Sequence, residues 1–278
     1  MITVITGATA GIGAAAAEGI ARAGHDVVLV GRSRARLDSV AARIETLTGR
    51  RPDAHAADFA SFDEVRALAA TLLGTYERID VLANNAGVMT PRRETTVDGH
   101  ELMMQVNHLS GFLLTHLLRE RVTESAGRVV TTSSRAAKSG KLDPTDLDRK
   151  SRRWFGWLQY GDTKQANALF TGELARRGVT ATCFHPGVIK TGFAAGTTLM
   201  KIYGLIPGYF KTPEQGAANL VRLATTADGA DHSGRYFDDD GRPAAVPAKM
   251  EDPALAAALW TASLAATGLP PETPETPA

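Results

Sequence analysis

Tyr160 and Lys164 stand four residues apart in the stretch "YGDTKQANALFTGELARRG". Its helical period places both side chains on one face. A free tyrosine ionises near pH ~10, so it cannot act as a general base at neutral pH unaided. An ammonium on the same face favours the phenolate, and the couple can then pass a proton to or from a reacting oxygen. Alone, such a pair is also ordinary helix surface. It needs partners.

The first partner is "TGATAGIG", Thr6 to Gly13, lying between the β-branched run "ITVIT" and an Ala-rich helical stretch. Glycines at such a junction let the backbone turn sharply and approach a pyrophosphate, which rests on the free N–H groups of the helix start. Gly7, Thr9, Ala10, Gly11, Ile12 and Gly13 are the candidate contacts. The next strand ends in "VVLVGRS", with Arg32 where an NAD site carries a carboxylate for the ribose 2′-hydroxyl. An arginine pairs with a 2′-phosphate instead, so NADP(H) is expected in preference to NAD(H). Ser33, Arg34 and Arg36 could share that role, and a solvated loop charge is the plain alternative for Arg32.

The elements that must hold these residues alternate. "ITVIT", "DVVLV", "RIDVLANN" and "GRVVTTSS" are short and apolar, and Ala/Leu/Arg segments of helical period separate them. Repeated βα units predict an α/β fold: a Rossmann-type doubly wound parallel sheet with helices on both faces, as a single domain over residues 1–267. "DPALAAALWTASLAATG" reads as a helix carrying Trp260. Residues 268–278, ending "PETPETPA", read as a disordered tail.

The 278 residues carry a formal charge of +1, too little to hold nucleic acid or an anionic membrane non-specifically. The expected partner is a small molecule. A single cysteine, Cys183, excludes an intramolecular disulfide and a multi-cysteine metal site. The apolar opening has no basic leader, and no run reaches the roughly 20 apolar residues of a membrane span, so the expectation is a cytoplasmic protein. His100, His108 and His116 recur at eight-residue spacing, which spreads them along and around a helix, and no metal is expected. In "RKSRRWFGW", Trp154, Phe155 and Trp157 either cover an apolar substrate cleft or simply pack.

Taken in order, the TGxxxGxG spacing, "NNAG" (Asn84 to Gly87), "VVTTSS" and the Tyr160/Lys164 pair resemble the short-chain dehydrogenase/reductase family, from residue 2 to about 268. The resemblance implies that Ser134, with Ser133 as neighbour, hydrogen-bonds the substrate oxygen while Tyr160 is the acid/base. It implies that Asn107, in "QVNHLSGFLLT", holds a water in a proton relay through Lys164 and the ribose. For the cofactor it implies Asp58 beside the adenine with Phe59 next to it, then Asn85, Ala86 and Gly87. Tyr160 and Lys164 also touch it, as do Pro186, Gly187, Ile189 and Thr191 of "HPGVIKT".

The long segment between Ser134 and Tyr160, with "KLDPTDLDRK", "TPEQGA" and "GRYF", is similar to the retinol-dehydrogenase-like branch. That branch implies an NADP(H)-dependent oxidoreductase interconverting a carbonyl and an alcohol on a small apolar substrate, with substrate loops at about 135–156 and 188–212. Assembly as a homodimer or homotetramer is a family habit that other members lack. A non-catalytic NADP(H) sensor and a carbon–carbon double-bond reductase are the rival readings.

Overall fold

The computed structural model describes residues 1–189 and 210–272. Its strands and helices alternate as β1 (Ile2–Thr6), α1 (Gly11–Arg22), β2 (Asp26–Gly31), α2 (Arg34–Thr48), β3 (Asp53–Ala56), α3 (Phe62–Thr75) and β4 (Val81–Asn84). There follow α4 (Leu102–Met104), α5 (Ser110–Glu124), β5 (Arg128–Thr132), α6 (Gly156–Arg176) and β6 (Ala181–Phe184). After the undescribed stretch come α7 (Pro213–Thr225), α8 (Asp228–Asp231), β7 (Tyr236–Phe237) and α9 (Pro253–Ala266).

Seven parallel strands form one sheet in the order β3-β2-β1-β4-β5-β6-β7. Alternate side chains of the central strands enter two separate cores. Ile5, Leu29, Val81 and Val130 pack with α1, α2 and α7 on one face. Val4, Val28, Leu82 and Val129 pack with α3, α5, α6 and α9 on the other. Both faces are covered, which is why the strand sequences are apolar throughout. The chain reverses its direction of travel across the sheet between β1 and β4, and such a switch point opens a crevice at the C-terminal ends of the strands. Thr6, Asn84 and Thr132, the last residues of β1, β4 and β5, mark its floor.

Helix α9 covers the outer face of α6. Trp260 is buried there against Phe112 and Phe170, with ring centroids 5.0 and 6.0 Å away. Part of the expected tail is held in place: Leu269 packs on the same core, and Glu272 accepts from Trp260 Nε1 at 2.9 Å and from Arg177 Nη1 at 2.7 Å. Arg119 lies 3.0 Å from the same carboxylate. The basic groups that capture Glu272 come from α5 and from just past α6, so proline-rich composition near the terminus carries no trace of them. Residues 273–278 lie outside the described part.

The long segment before the Tyr160 helix is strapped down by charge. Asp162, on α6, accepts from Lys141 N at 2.7 Å and from Arg149 Nε and Nη2 at 2.9 and 2.8 Å, and neither side chain of the ion pair is exposed beyond 6%. Asp148 accepts from the Glu101 N–H at 2.9 Å and meets His100 Nδ1 at 3.2 Å. Arg93 donates to the carbonyls of Asp148 and Arg149. The segment is thereby tied to three places at once.

Candidate active site

At the β1–α1 turn, Gly7 and Gly11 take positive φ angles of 69° and 55°, a conformation glycine adopts without steric cost. A Cβ on Gly13 would stand 2.2 Å from the Gly7 carbonyl oxygen, and one on Gly31 would stand 2.6 Å from Thr9 Cγ2. These close approaches fold the loop flat under the start of α1. Ala10 gives that helix no side-chain cap, in contrast to Ser33 on α2 and Ser61 on α3. The first N–H groups of α1 are thus left to a ligand, and the partial positive charge of the helix end suits a phosphate. Thr6 ties the loop to β4: its hydroxyl donates to Ala83 O and accepts from the N–H groups of Asn85 and Ala86 at 2.9 and 3.0 Å. Asn85 in turn donates Nδ2 to Thr6 O and accepts from Thr132 Oγ1.

Arg32 is exposed at the end of β2 and, among the described residues, has no hydrogen-bond or ion-pair partner, and the same holds for the Arg36 side chain. Arg34 is otherwise engaged, with Asp38 at 3.0 Å and Ala54 O at 3.1 Å. Asp58 is half-buried and caps Ala60 N at 2.9 Å. Phe59 follows Asp58 on the same stretch. Its ring is buried in the core and its carbonyl accepts from Ser110 Oγ at 2.6 Å. Asn85, Ala86 and Gly87 are half-buried at the crevice.

The two serines after β5 part company. Ser133 is buried and donates to the Lys164 carbonyl at 2.8 Å. Ser134 caps the following short 3₁₀ turn through Ala136 N, and its hydroxyl lies near enough to the Tyr160 phenol to favour the phenolate. Alternation along the chain turns one serine under the helix and the other toward the tyrosine. Lys164 lies with its Nζ 5.6 Å from the centre of the Tyr160 ring and donates to Thr132 O at 3.1 Å. Burial pushes the Tyr160 phenol up to about 12, against the lowering effect of the Ser134 hydroxyl, and brings Lys164 down to about 8. Desolvation therefore outweighs the attraction that the sequence suggested would favour the phenolate, and each group is held nearer its neutral form.

Asn107 sits in a π turn, Gln105–Leu109, wedged between α4 and α5. One extra residue in a helical turn is a feature often associated with functional sites. It aims the Asn107 amide at the loop after β4: Oδ1 accepts from Val88 N at 2.7 Å, and Nδ2 donates to Val88 O at 3.0 Å and to Thr163 Oγ1 at 3.2 Å. The backbone carbonyl of Asn107 accepts from Asn167 Nδ2, which also donates to Thr132 O at 3.1 Å. Thr132 O thus receives both Asn167 and Lys164. His108, buried and brought down to about 4 by desolvation, donates Nδ1 to Asn167 Oδ1 and so fixes which way that amide faces. Asn167 and Thr132 were missed in the sequence. The available signal was spacing, since Asn167 follows Lys164 by three residues and shares its helix face.

Pro186 and Gly187 close the crevice, Gly187 at φ +88°, with Lys211 packed where its Cβ would stand. Ile189 is buried and bridges to Lys211 in a short parallel contact. Thr191 falls outside the described residues, as does most of the expected loop at 188–212. Around Tyr160 an apolar wall forms from Met103, Ala136, Val88, Met89 and Trp154. The three histidines weighed as ligands each have other surroundings: His100 is with Asp148, His108 with Asn167 and Ser263, and His116 stacks on Phe112.

A profile of short chain dehydrogenases matches residues 1–202, in agreement with the glycine turn and with the Ser134, Tyr160 and Lys164 grouping. The chain belongs to the short-chain dehydrogenase family. Within it, the chain is 44% identical over 267 residues to a Streptomyces sp. (strain C5) protein named as a candidate daunorubicin C-13 ketoreductase, DnrU, covering 95% of this chain and 92% of that one. It is 38% identical over 283 residues to human retinol dehydrogenase 13, covering 96% and 84%. This short-chain dehydrogenase therefore falls in the retinol-dehydrogenase-like branch. A solved short-chain dehydrogenase from Escherichia coli CFT073, in complex with NADPH, superposes with a TM-score of 0.69 at 27% identity, covering 86% of this chain and 95% of the other. Among the described residues no helix is long and apolar enough to cross a membrane.

Proposed function

We propose that this oxidoreductase uses NADP(H) to interconvert a carbonyl and an alcohol on an apolar substrate, with Tyr160 as general acid/base. The observation that carries the reading is the grouping of the Ser134 hydroxyl, the buried Tyr160 phenol and the buried Lys164, with an uncapped, glycine-lined helix start in the same fold. The glycine cradle, which a Cβ at Gly13 would fill, fits a dinucleotide pyrophosphate, and the unpartnered Arg32 and Arg36 fit a 2′-phosphate. When bound, the nicotinamide supplies or accepts the hydride.

Ser134 and Tyr160 converge on the carbonyl oxygen. Tyr160, held protonated by its surroundings, donates its proton as negative charge develops there, and Ser134 adds a second hydrogen bond. Lys164 stands below the phenol with Thr132 O as its anchor, and Asn107, set by Val88 and Asn167, approaches Gly87 from the same side as Lys164 Nζ. In the oxidative direction the same groups take the alcohol proton. The ketoreductase and retinol dehydrogenase names of the relatives agree with a carbonyl on an apolar framework, as does the wall around Tyr160.

The test is NADPH oxidation across apolar aldehydes and ketones, with NADH in parallel and Tyr160→Phe as control. Turnover with NADPH that disappears in the variant supports the reading. Tight NADPH binding with no turnover on carbonyls, or turnover on enones alone, overturns it.

A further inference from the structure

We propose that Trp157 and Phe155 form an open aromatic rim that selects a flat, fused-ring aromatic ketone by stacking it across the entrance to Tyr160. The proposal deepens the carbonyl-reductase reading above and rests on it for the position of the carbonyl. Phe155 and Trp157 are 45% and 47% exposed, and they are the exposed aromatic side chains among the described residues; the other exposed large apolar side chains, Met1, Leu47 and Val97, are aliphatic and far apart in sequence. Both aromatics stand at the start of α6, at the end of the sheet where the crevice opens. Trp157 precedes Tyr160 by three residues and shares its helix face, with ring centroids 6.2 Å apart and planes tilted by 37°. A molecule presenting its carbonyl to Tyr160 lies beside the Trp157 ring.

The rim is fixed rather than loose. A Cβ on Gly156 would stand 2.5 Å from Thr90 O, so the first turn of α6 is pressed against the loop after β4. The Arg153 guanidinium lies 4.3 Å from the centre of the Phe155 ring and covers one of its faces. Just behind, Trp154 is turned inward to the Tyr160 wall, so three aromatics in four positions divide between lining and rim. Exposed aromatic faces gain most from another aromatic face: offset stacking adds to the plain burial of area, whereas a saturated chain gains the area alone. A rigid ring system also loses little freedom on lying down across such a platform.

The experiment pairs equilibrium binding with turnover, in the presence of cofactor. Binding of 2-acetylanthracene is followed by its fluorescence anisotropy with NADP+ present, and the KM of cyclohexyl methyl ketone is measured with NADPH. Trp157→Ala is expected to weaken 2-acetylanthracene on the order of 10-fold and Trp157→Phe by less than about threefold, while the KM of cyclohexyl methyl ketone, which loses only buried area, rises by less than about threefold. Equal losses for both ketones, or no loss in Trp157→Ala and Phe155→Ala, overturn the rim. So does binding of the protein to phosphatidylserine vesicles that Trp157→Ala abolishes while 2-acetylanthracene still binds. A protein that binds 2-acetylanthracene through Trp157 yet reduces no carbonyl upholds the rim and overturns the reductase reading.

Discussion

The Ser133 hydroxyl reaches back 2.8 Å to the backbone carbonyl of Lys164, which places it beneath α6 and leaves Ser134 as the serine beside Tyr160. The two positions are chemically identical in sequence and separate only in their partners. Ser134→Ala is expected to lower kcat on the order of 100-fold or more with an unchanged melting temperature, as for loss of one donor to a developing oxyanion. Ser133→Ala is expected to cost about 1 kcal/mol of stability and to keep kcat within a few fold. Parallel thermal melts and steady-state kinetics on the two variants check both halves.

Arg149 and Asp162 form an ion pair that is almost wholly out of solvent. Removing one partner strands the other charge, which typically costs about 3–5 kcal/mol. Arg149→Met and Asp162→Leu are each expected to destabilise by that order, and the double variant by clearly less than the sum. Urea unfolding of the four proteins gives the coupling directly.

Arg32 is exposed and without a partner among the described residues. Arg32→Ala is expected to raise the KM for NADPH by about 10- to 100-fold, the weight of one hydrogen bond to a charged group, and to leave the KM for NADH nearly unchanged. Arg32→Asp should bring NADH into preference. Equal effects on both cofactors would remove Arg32 from the discriminating role and leave Arg36 to be tested next.

Burial holds Lys164 at about 8 in the folded chain, below its usual value of 10.5. The folded state therefore binds this proton less tightly than the unfolded state, and between about pH 8 and 10.5 this group makes stability rise with pH. Below pH 8 the full cost of a buried ammonium is present. Lys164→Met is expected to compare most favourably with the parent protein near pH 7 and to lose that advantage by pH 10, while activity is absent at every pH. Melting temperatures of the pair at three pH values suffice.

The sheet was readable because its strands are local and apolar on both faces, and β1, β2, β4 and β5 coincide with the runs that mark them. β3 is an edge strand, "DAHA", half exposed and without an apolar pattern, so nothing in its letters marks it. In the candidate site, the glycine turn and the Tyr160/Lys164 spacing are local features and are visible in the letters. The choice between Ser133 and Ser134, the seat of Asn167 against the Asn107 carbonyl, and the inward turn of Phe59 depend on contacts between residues dozens of positions apart. No periodicity encodes those. The capture of Glu272 by Arg119 and Arg177 is of the same kind: a charge at the end of a proline-rich stretch looks solvated until the opposite charges are brought to it by folding.

The Arg149 strap also determines how this chain can be recombined with its relatives. A block spanning 140–153 does not stand alone, because its anchors are Asp162 on α6, the Glu101 N–H ahead of the π turn, and Arg93 beyond the "NNAG" loop. Exchanging the insertion without those three would graft an arginine into a dry cavity with no counter-charge. The segment and its three anchors are consequently inherited together, and crossovers that preserve them fall outside residues 93–162.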